Sequence, residues 1–208
     1  MPTDLEWKHV HLSLYAGSVT RCQGWFEAAD ELQFAADQLR SQAESWWLQL
    51  DKWQKDPQRP RSQRFPSLGC HAIMMMLNSY AIEGLCKGTM IRDGLVELVP
   101  AEIAAKGIPK ILKEHKLRQL LKHVDFACDT LEQELAQRMT RAAVWRARYP
   151  AAVRYNENIH TVVLDDGKKH SATWLARNDI DRMDELIAKL RKHVRAPRSF
   201  TTSRDAAP

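Results

Sequence analysis

The chain of 208 residues lacks several features that would assign it directly to a class of proteins. No uninterrupted apolar run approaches the ~18 residues that a membrane helix needs. A Gly-rich phosphate loop and a Gly-x-Ser-x-Gly motif are both missing, which excludes ordinary P-loop ATPases and α/β-hydrolases. Residues 1–6 carry neither the basic nor the apolar segment of a secretory signal. We therefore expect a cytoplasmic protein with no membrane segment.

Cysteine is also scarce, and its spacing is uninformative. The four cysteines are Cys22, Cys70, Cys86 and Cys128. No two of them form a Cys-x-x-Cys motif and three fall on apolar helix faces, which predicts reduced thiols rather than disulfides. His9 and His11 are two residues apart, but no Cys, Asp or Glu recurs at ligand spacing. The sequence therefore predicts no metal site and no cofactor.

The overall composition is that of an ordinary globular protein. Hydrophobic residues make up 44% and charged residues 27% of the chain. The net charge of +5 permits contact with phosphates but does not by itself indicate nucleic-acid binding. We expect one domain over residues 1–196 and a flexible tail over residues 197–208.

Apolar periodicity predicts a protein built almost entirely of helices. Steps of three and four between apolar residues predict one long helix from Ser18 to Lys55. A linker rich in proline and arginine follows, and then a helix that is apolar nearly all round, from Leu68 to Asp93 with Gly94 at its end. Residues 95–112 read as irregular. The remaining predictions are helices over Lys116–His123, Asp125–Trp145 and Asp179–Val194, and a β-hairpin at about 159–174.

Glu83 and Lys87 are the one acid and one base in the middle of the apolar helix. They are four residues apart, so they lie one turn apart on the same face. A charge on a buried helix must be paired or used in function. The sequence leaves both interpretations open: a structural ion pair, or a binding site.

Three phrases in a fixed order resemble the HEPN family of small α-helical bundles. The apolar helix carries Tyr80–Gly88, a short helix opens with Glu114–Leu121, and a further helix runs out at Arg146–Pro150. In the second phrase, Lys116 replaces the acid of the family's His-Asp-Leu-x-x-Leu pattern. The resemblance implies a HEPN-like bundle of four or five helices, to which the hairpin is appended, and a homodimer.

The family implies two kinds of function. Some members are metal-independent ribonucleases that carry an Arg-x4-6-His motif, in which histidine moves protons and arginine stabilises phosphate charge. Others bind nucleotides or serve as accessory subunits, often in bacterial defence or toxin–antitoxin systems. The motif occurs three times here, about as often as chance provides. Only Arg118 and His123 share a helix in the core region, so they are the candidate catalytic pair, with a solvated basic face as the alternative.

Two further groups are candidates for binding. Arg146, Arg148 and Tyr149 combine positive charge with an aromatic ring, which suits phosphate and an unstacked base. With Glu83 and Lys87 they form the predicted nucleotide- or RNA-binding set.

Tryptophans at the end of the first long helix suggest a second kind of surface. Trp46 and Trp47 are adjacent and cannot both face one small core, so one of them serves a partner or dimer interface or packs on the linker. The sequence thus favours a nucleotide- or RNA-binding or accessory protein, with a ribonuclease and a protein-interaction module as alternatives.

Overall fold

The protein, described here by a computed structural model, is mostly helical. The structure describes residues 4–58, 69–146, 160–163, 169–172 and 176–195. The α-helices are α1 (Asp4–Thr20), α2 (Cys22–Asp37), α3 (Arg40–Lys55), α4 (Gly69–Arg92), α5 (Pro100–Lys106), α6 (Leu117–His123), α7 (Thr130–Arg141) and α8 (Asp179–Arg195). Lys110–Lys113 form a 3-10 helix, and Ala142–Arg146 continue α7 as a π-helix. The predicted all-α class is confirmed at this level, whereas the HEPN arrangement stays a prediction.

Helix α4 lies at the centre of the bundle. It packs against α2, α3, α6, α7 and α8, as expected for a helix that is apolar on nearly every side. Its end follows the sequence signal: Gly94 has a left-handed φ of 66°, and Leu95 N–H donates to the Met90 carbonyl over 2.9 Å. The predicted buried helix is therefore confirmed almost to the residue.

The predicted single helix over Ser18–Lys55 is wrong. Arg21 adopts extended backbone with φ −93° and ψ 116°, and a second break at Gln38 and Leu39 separates α2 from α3. Neither break contains proline, and the apolar periodicity continues through both, so the sequence did not predict them. Tertiary packing decides it, because α2 and α3 each turn their buried alanines and Trp46 inward.

The helix predicted over Ser18–Lys55 has a long apolar seam, which favoured a homodimer beside the family resemblance, and this seam is used within the chain. Its members Ala29, Ala36 and Ala43 are fully buried in the single protomer, and Trp46 is only 9% exposed. A helix face that is already covered offers no surface to a second copy. The homodimer stays a prediction without this seam as its support.

Two smaller boundaries also differ from the sequence-based expectation. Part of the stretch predicted to be irregular is helical, because Pro100 stands in the first turn of α5, where its missing N–H costs nothing. Helix α7 begins at Thr130 rather than Asp125. There the Asp129 side chain accepts from Glu132 N–H while Glu132 accepts from Asp129 N–H, a capping box that was present in the sequence.

Two short strands lie between the π-helix and α8 in the chain. Strand β1 (His160–Val163) pairs antiparallel with β2 (Lys169–Ala172), with His160 opposite Ala172. The predicted hairpin covered 159–174, and residues 164–168, which would join the strands, lie outside the described residues. Most of the proline-rich linker and the predicted tail over 197–208 lie outside them too.

Candidate functional site

Glu83 and Lys87 form a buried ion pair in α4, as their spacing predicted. Lys87 Nζ lies 2.5 Å from Glu83 Oε1, and the lysine side chain is only 2% exposed. The ammonium also lies 5.5 Å from the centre of the Trp25 ring on α2, where a cation is attracted to the aromatic face. The charge on Lys87 is therefore balanced by groups of the protein itself.

His115 covers the exposed side of this pair. Its Nδ1 lies 3.0 Å from Glu83 Oε2 and 3.1 Å from Glu83 Oε1, and its ring is largely exposed to solvent. Glu83 is thus shared between a buried lysine and a surface histidine. The contact fixes the chain just before α6 against α4, which gives the pair a clear structural role.

A second feature is a groove between α6 and α7. We call it the α6–α7 groove; its volume is about 890 Å³. The two helices are tied at one end because Thr140 Oγ1 accepts from Leu117 N–H over 3.1 Å. The same hydroxyl donates to the Ala136 carbonyl, so α7 supplies the cap that the first turn of α6 lacks.

The groove has a positive rim. Four cationic side chains line it, against the single carboxylate of Asp125. They are Lys116, Arg118, Lys122 and Arg141. Its apolar lining is formed by Leu121, Phe126 and Ala127, and glutamine side chains add hydrogen-bonding groups. Positive charge around an apolar floor suits a ligand that carries both phosphate and a flat ring.

Arg118 is held in a defined position on this rim. Its Nη2 donates to Gln133 Oε1 over 2.9 Å, and Gln133 Nε2 donates to the Cys128 carbonyl over 3.2 Å. The guanidinium is thereby carried across the groove toward the start of α7 while it remains exposed. A positioned guanidinium can offer two parallel donors to a phosphate.

Cys128 lines the same groove but is poorly suited to act as a nucleophile. Burial raises the pKa of its thiol to about 11, and the negative charges of Glu132 and Asp129 add to the effect. The thiolate is the reactive form, so the side chain is protonated and unreactive near neutral pH. The groove therefore favours binding over thiol chemistry.

Only one member of the predicted catalytic pair, Arg118, lines the groove. His123, at the end of α6, is exposed and is not among the lining residues. Five residues of helix turn the two side chains roughly 140° apart. Within one protomer, the side chains of Arg118 and His123 therefore point in different directions from α6.

The predicted basic and aromatic cluster cannot be placed in the same way. The backbone of Arg146 ends the π-helix that extends α7, and Arg148 and Tyr149 lie outside the described residues. Arg141, one turn earlier on the same helix, is the member of this basic run that lines the groove. The nucleotide-binding role of Arg146, Arg148 and Tyr149 stays a prediction.

The two adjacent tryptophans are turned mainly inward. Trp46 is buried, and Trp47 Nε1 donates to Nδ1 of His71 over 2.8 Å, which links α3 to α4. Trp47 also lines a smaller cavity of about 580 Å³, beside Leu48 and Arg177. The exposed apolar side chain here is Leu48 rather than either tryptophan. The predicted interface through Trp46 or Trp47 therefore has little exposed surface to support it.

Sequence reasoning missed the groove. Arg118 had been considered as half of a catalytic pair or as part of a solvated basic face, and neither interpretation included a cavity. The missing element was the apolar floor, because apolar periodicity had assigned Phe126 to the core stripe of the helix predicted over Asp125–Trp145, whereas it stands in the loop before α7. Only the packing of α6 on α7 brings these residues together.

A buried network at the other face of α7 was also missed. Arg138 donates to Glu134 and to Asp179, and its Nη2 lies 2.8 Å from Asp179 Oδ1. Burial lowers the pKa of Arg138, but the hydrogen bonds that it donates to Asp179 and Glu134 outweigh this effect, so the net shift is upward. This network joins α7 to α8 and has the character of a structural link.

The described residues contain neither a membrane-spanning helix nor a cluster of metal-binding side chains. No helix there is long and apolar enough to cross a membrane. Among the same residues, no three His, Cys, Asp or Glu side chains come together as a metal centre. In comparisons with known proteins, no protein-family model, no curated protein and no solved structure matches the chain.

Proposed function

We propose that this protein binds a nucleotide or RNA in the α6–α7 groove and does so without catalysis. The observation that carries the proposal is the combination of four cationic side chains with an apolar, Phe126-containing floor. Phosphate supplies the negative charge that such a rim attracts, and an unpaired base supplies a flat face for the floor. Binding driven by phosphate contacts weakens steeply as salt is raised.

The resemblance to the HEPN family supports the same class of ligand. It also predicts an accessory role in a bacterial defence or toxin–antitoxin system, together with a homodimer. Glu83 and Lys87 enter this proposal as a structural ion pair rather than as ligand contacts, because neither lines the groove. Their partner His115 precedes Lys116, the first cation of the rim.

The proposal is tested by binding of a fluorescent single-stranded RNA, measured by anisotropy at about 50 mM salt and then at higher salt. Replacement of Arg118 and Lys122 together by alanine is expected to weaken binding roughly tenfold or more, because hydrogen bonds to charged groups are lost.

The matched control replaces Lys52 and Lys106 by alanine. Both are exposed lysines outside the groove, so this variant loses two positive charges from other helices. It should bind RNA nearly as well as the unchanged protein. Equal loss of binding in the two variants would show that net charge, and not the groove, attracts the RNA.

A ribonuclease that uses Arg118 and His123 is the alternative outcome of the same experiment. The RNA is recovered after incubation in excess EDTA, beside a His123→Ala variant. Intact RNA is the expected result. Cleavage that resists the chelator and is lost in His123→Ala would replace the binding proposal by a ribonuclease, with the two residues meeting across protomers.

A further inference from the structure

The cations of the α6–α7 groove are distributed between its two ends. The Leu117–Thr140 hydrogen bond places the start of α6 beside the end of α7, so Lys116 and Arg141 lie at one end. Lys122 stands in the last turn of α6, near the loop that leads into α7, and the bond to Gln133 brings the Arg118 guanidinium toward that second end. Eight residues of α7 separate Gln133 from Arg141, which corresponds to about 12 Å.

This distribution does not suit a mononucleotide. All phosphates of a mononucleotide are attached at one point of the sugar, so they would occupy one end and leave the other end empty. Compact phosphate groups are usually held by a Gly-rich loop or by free N–H groups at a helix start. The sequence has no such loop, and Leu117 N–H in α6 is already bonded to Thr140.

A nucleic-acid strand carries its charges differently, one phosphate for each nucleotide along its length. Two separated pairs of cations match two separated phosphates of such a strand. Phe126, which is half-buried, lines the groove toward the second end, where an unpaired base can rest on the exposed part of its ring. Bases in a duplex are stacked on one another and cannot do this, so the strand must be single.

We infer that the α6–α7 groove binds single-stranded nucleic acid across at least two phosphates. Lys116 and Arg141 hold one phosphate, Arg118 and Lys122 hold another, and a base lies against Phe126. This inference rests on the proposed function and adds the ligand class that the groove accepts. RNA and DNA strands share the chemistry, and a hydroxyl contact distinguishes them.

The test is competition of unlabelled ligands against a fluorescent octanucleotide. ATP, UMP, and uridine oligonucleotides of two, four and eight residues are compared at equal concentration. The oligonucleotides should compete with increasing strength, whereas ATP and UMP should compete weakly. Competition by ATP or UMP as strong as that of the tetranucleotide would overturn the inference and leave the proposed function standing. No binding of any ligand would remove both.

Two double variants test the two ends separately. Lys116→Ala with Arg141→Ala removes the cations of one end, and Arg118→Ala with Lys122→Ala removes those of the other. Each should lower the slope of log affinity against log salt by about 0.7, the value for one phosphate of a single strand. A change in only one of them would overturn the two-ended arrangement. Thermal melts of both variants check that they fold.

A third variant strengthens binding and so cannot be confused with unfolding. Asp125 places a carboxylate at the second end and has a left-handed φ of 53°, which asparagine tolerates. Asp125→Asn removes the repulsion toward phosphate without changing shape, so binding of the octanucleotide should tighten severalfold. Unchanged affinity would show that no phosphate lies at this end. A deoxyoctanucleotide measured beside it reports, by weaker binding, a contact to the 2′-hydroxyl.

Discussion

Single residues decide how α4 can be both buried and charged. Lys87 and Glu83 are removed from water, which costs several kcal/mol for each ion unless their attraction compensates. The short contact between them, the nearby Trp25 ring and the His115 contact supply that compensation. The spacing of the pair was readable in the sequence. The contact to His115, 32 residues away, was not, because nothing local links a histidine in a loop to this face of α4.

Breaking this pair should destabilise the protein more than removing it. Glu83→Gln leaves Lys87 charged and buried, so we expect a loss of about 3–5 kcal/mol in the free energy of unfolding. Glu83→Gln combined with Lys87→Met removes both charges and should recover most of that loss. Urea denaturation measures both.

His115→Ala serves as the control for this cycle, because it removes only the exposed partner and should cost less than about 1 kcal/mol. If Glu83→Gln proved as stable as the unchanged protein, the pair would not support the fold. RNA binding by the double variant then separates structure from function: it should be retained, since neither residue lines the groove.

Between elements, a close approach occurs where α2 crosses α4. A side chain at Gly84 would bring its Cβ within 3.0 Å of the Trp25 carbonyl oxygen and 3.2 Å of Ala29 Cβ. At Gly88 the Cβ would lie 2.6 Å from the Phe26 ring. Glycine is present at these positions because the two helices leave no room for a methyl group.

Replacing these glycines by alanine should therefore destabilise the protein, although alanine ordinarily stabilises a helix relative to glycine. Gly84→Ala and Gly88→Ala are expected to cost roughly 1–3 kcal/mol through overpacking. Gly17→Ala in α1 is the matched control, because no atom lies within 4 Å of its Cβ. It should gain about 0.5–1 kcal/mol from helix propensity. Thermal melts that ranked all three alike would contradict the close approach of α2 and α4.

The success of prediction differed between elements for physical reasons. Helices α4, α6 and α8 were predicted correctly because their periodic apolar positions are the ones that the fold buries. The division of the first predicted helix at Arg21 and Leu39 was missed, since a periodic pattern continues across a bend as well as through a straight helix. The start of α7 was readable in its Asp129–Glu132 capping box, and the periodicity alone placed it too early.

At the scale of the whole molecule, buried polar contacts join helices that are distant in sequence. His71 on α4 is fully buried and accepts a hydrogen bond from Trp47 on α3. That bond requires an unprotonated Nδ1. The pKa of His71 is lowered from 6.5 to about 4, mainly by burial; the Asp179 carboxylate opposes this shift and the Arg138 cation adds to it. Folding therefore keeps this histidine neutral under conditions in which the unfolded chain would protonate it.

This difference predicts a loss of stability in acid. The unfolded state takes up a proton on His71 as pH falls below 6.5, while the folded state does so only near pH 4. The contribution of His71 to stability is thus complete above pH 6.5 and declines between pH 6.5 and 4. From pH 7 to pH 5 the decline amounts to about 2 kcal/mol in the free energy of unfolding.

His71→Asn should reduce that dependence on pH, since the asparagine oxygen can accept from Trp47 and does not titrate. Urea denaturation at both pH values measures the difference. His123→Ala, which removes an exposed histidine, should keep the slope of the unchanged protein. An identical slope in His71→Asn would show that other groups produce the acid sensitivity.

The sequence by itself determined the helical class, the buried position of α4 and the Glu83–Lys87 pair, because each follows from contacts within a few residues along one helix. The division of the first helices, the His115 contact and the groove were decided only by the tertiary structure. In the groove, charges from α6 and α7 meet an aromatic residue from the loop between them. Such convergence depends on how helices pack, and apolar periodicity describes only which face of each helix turns inward.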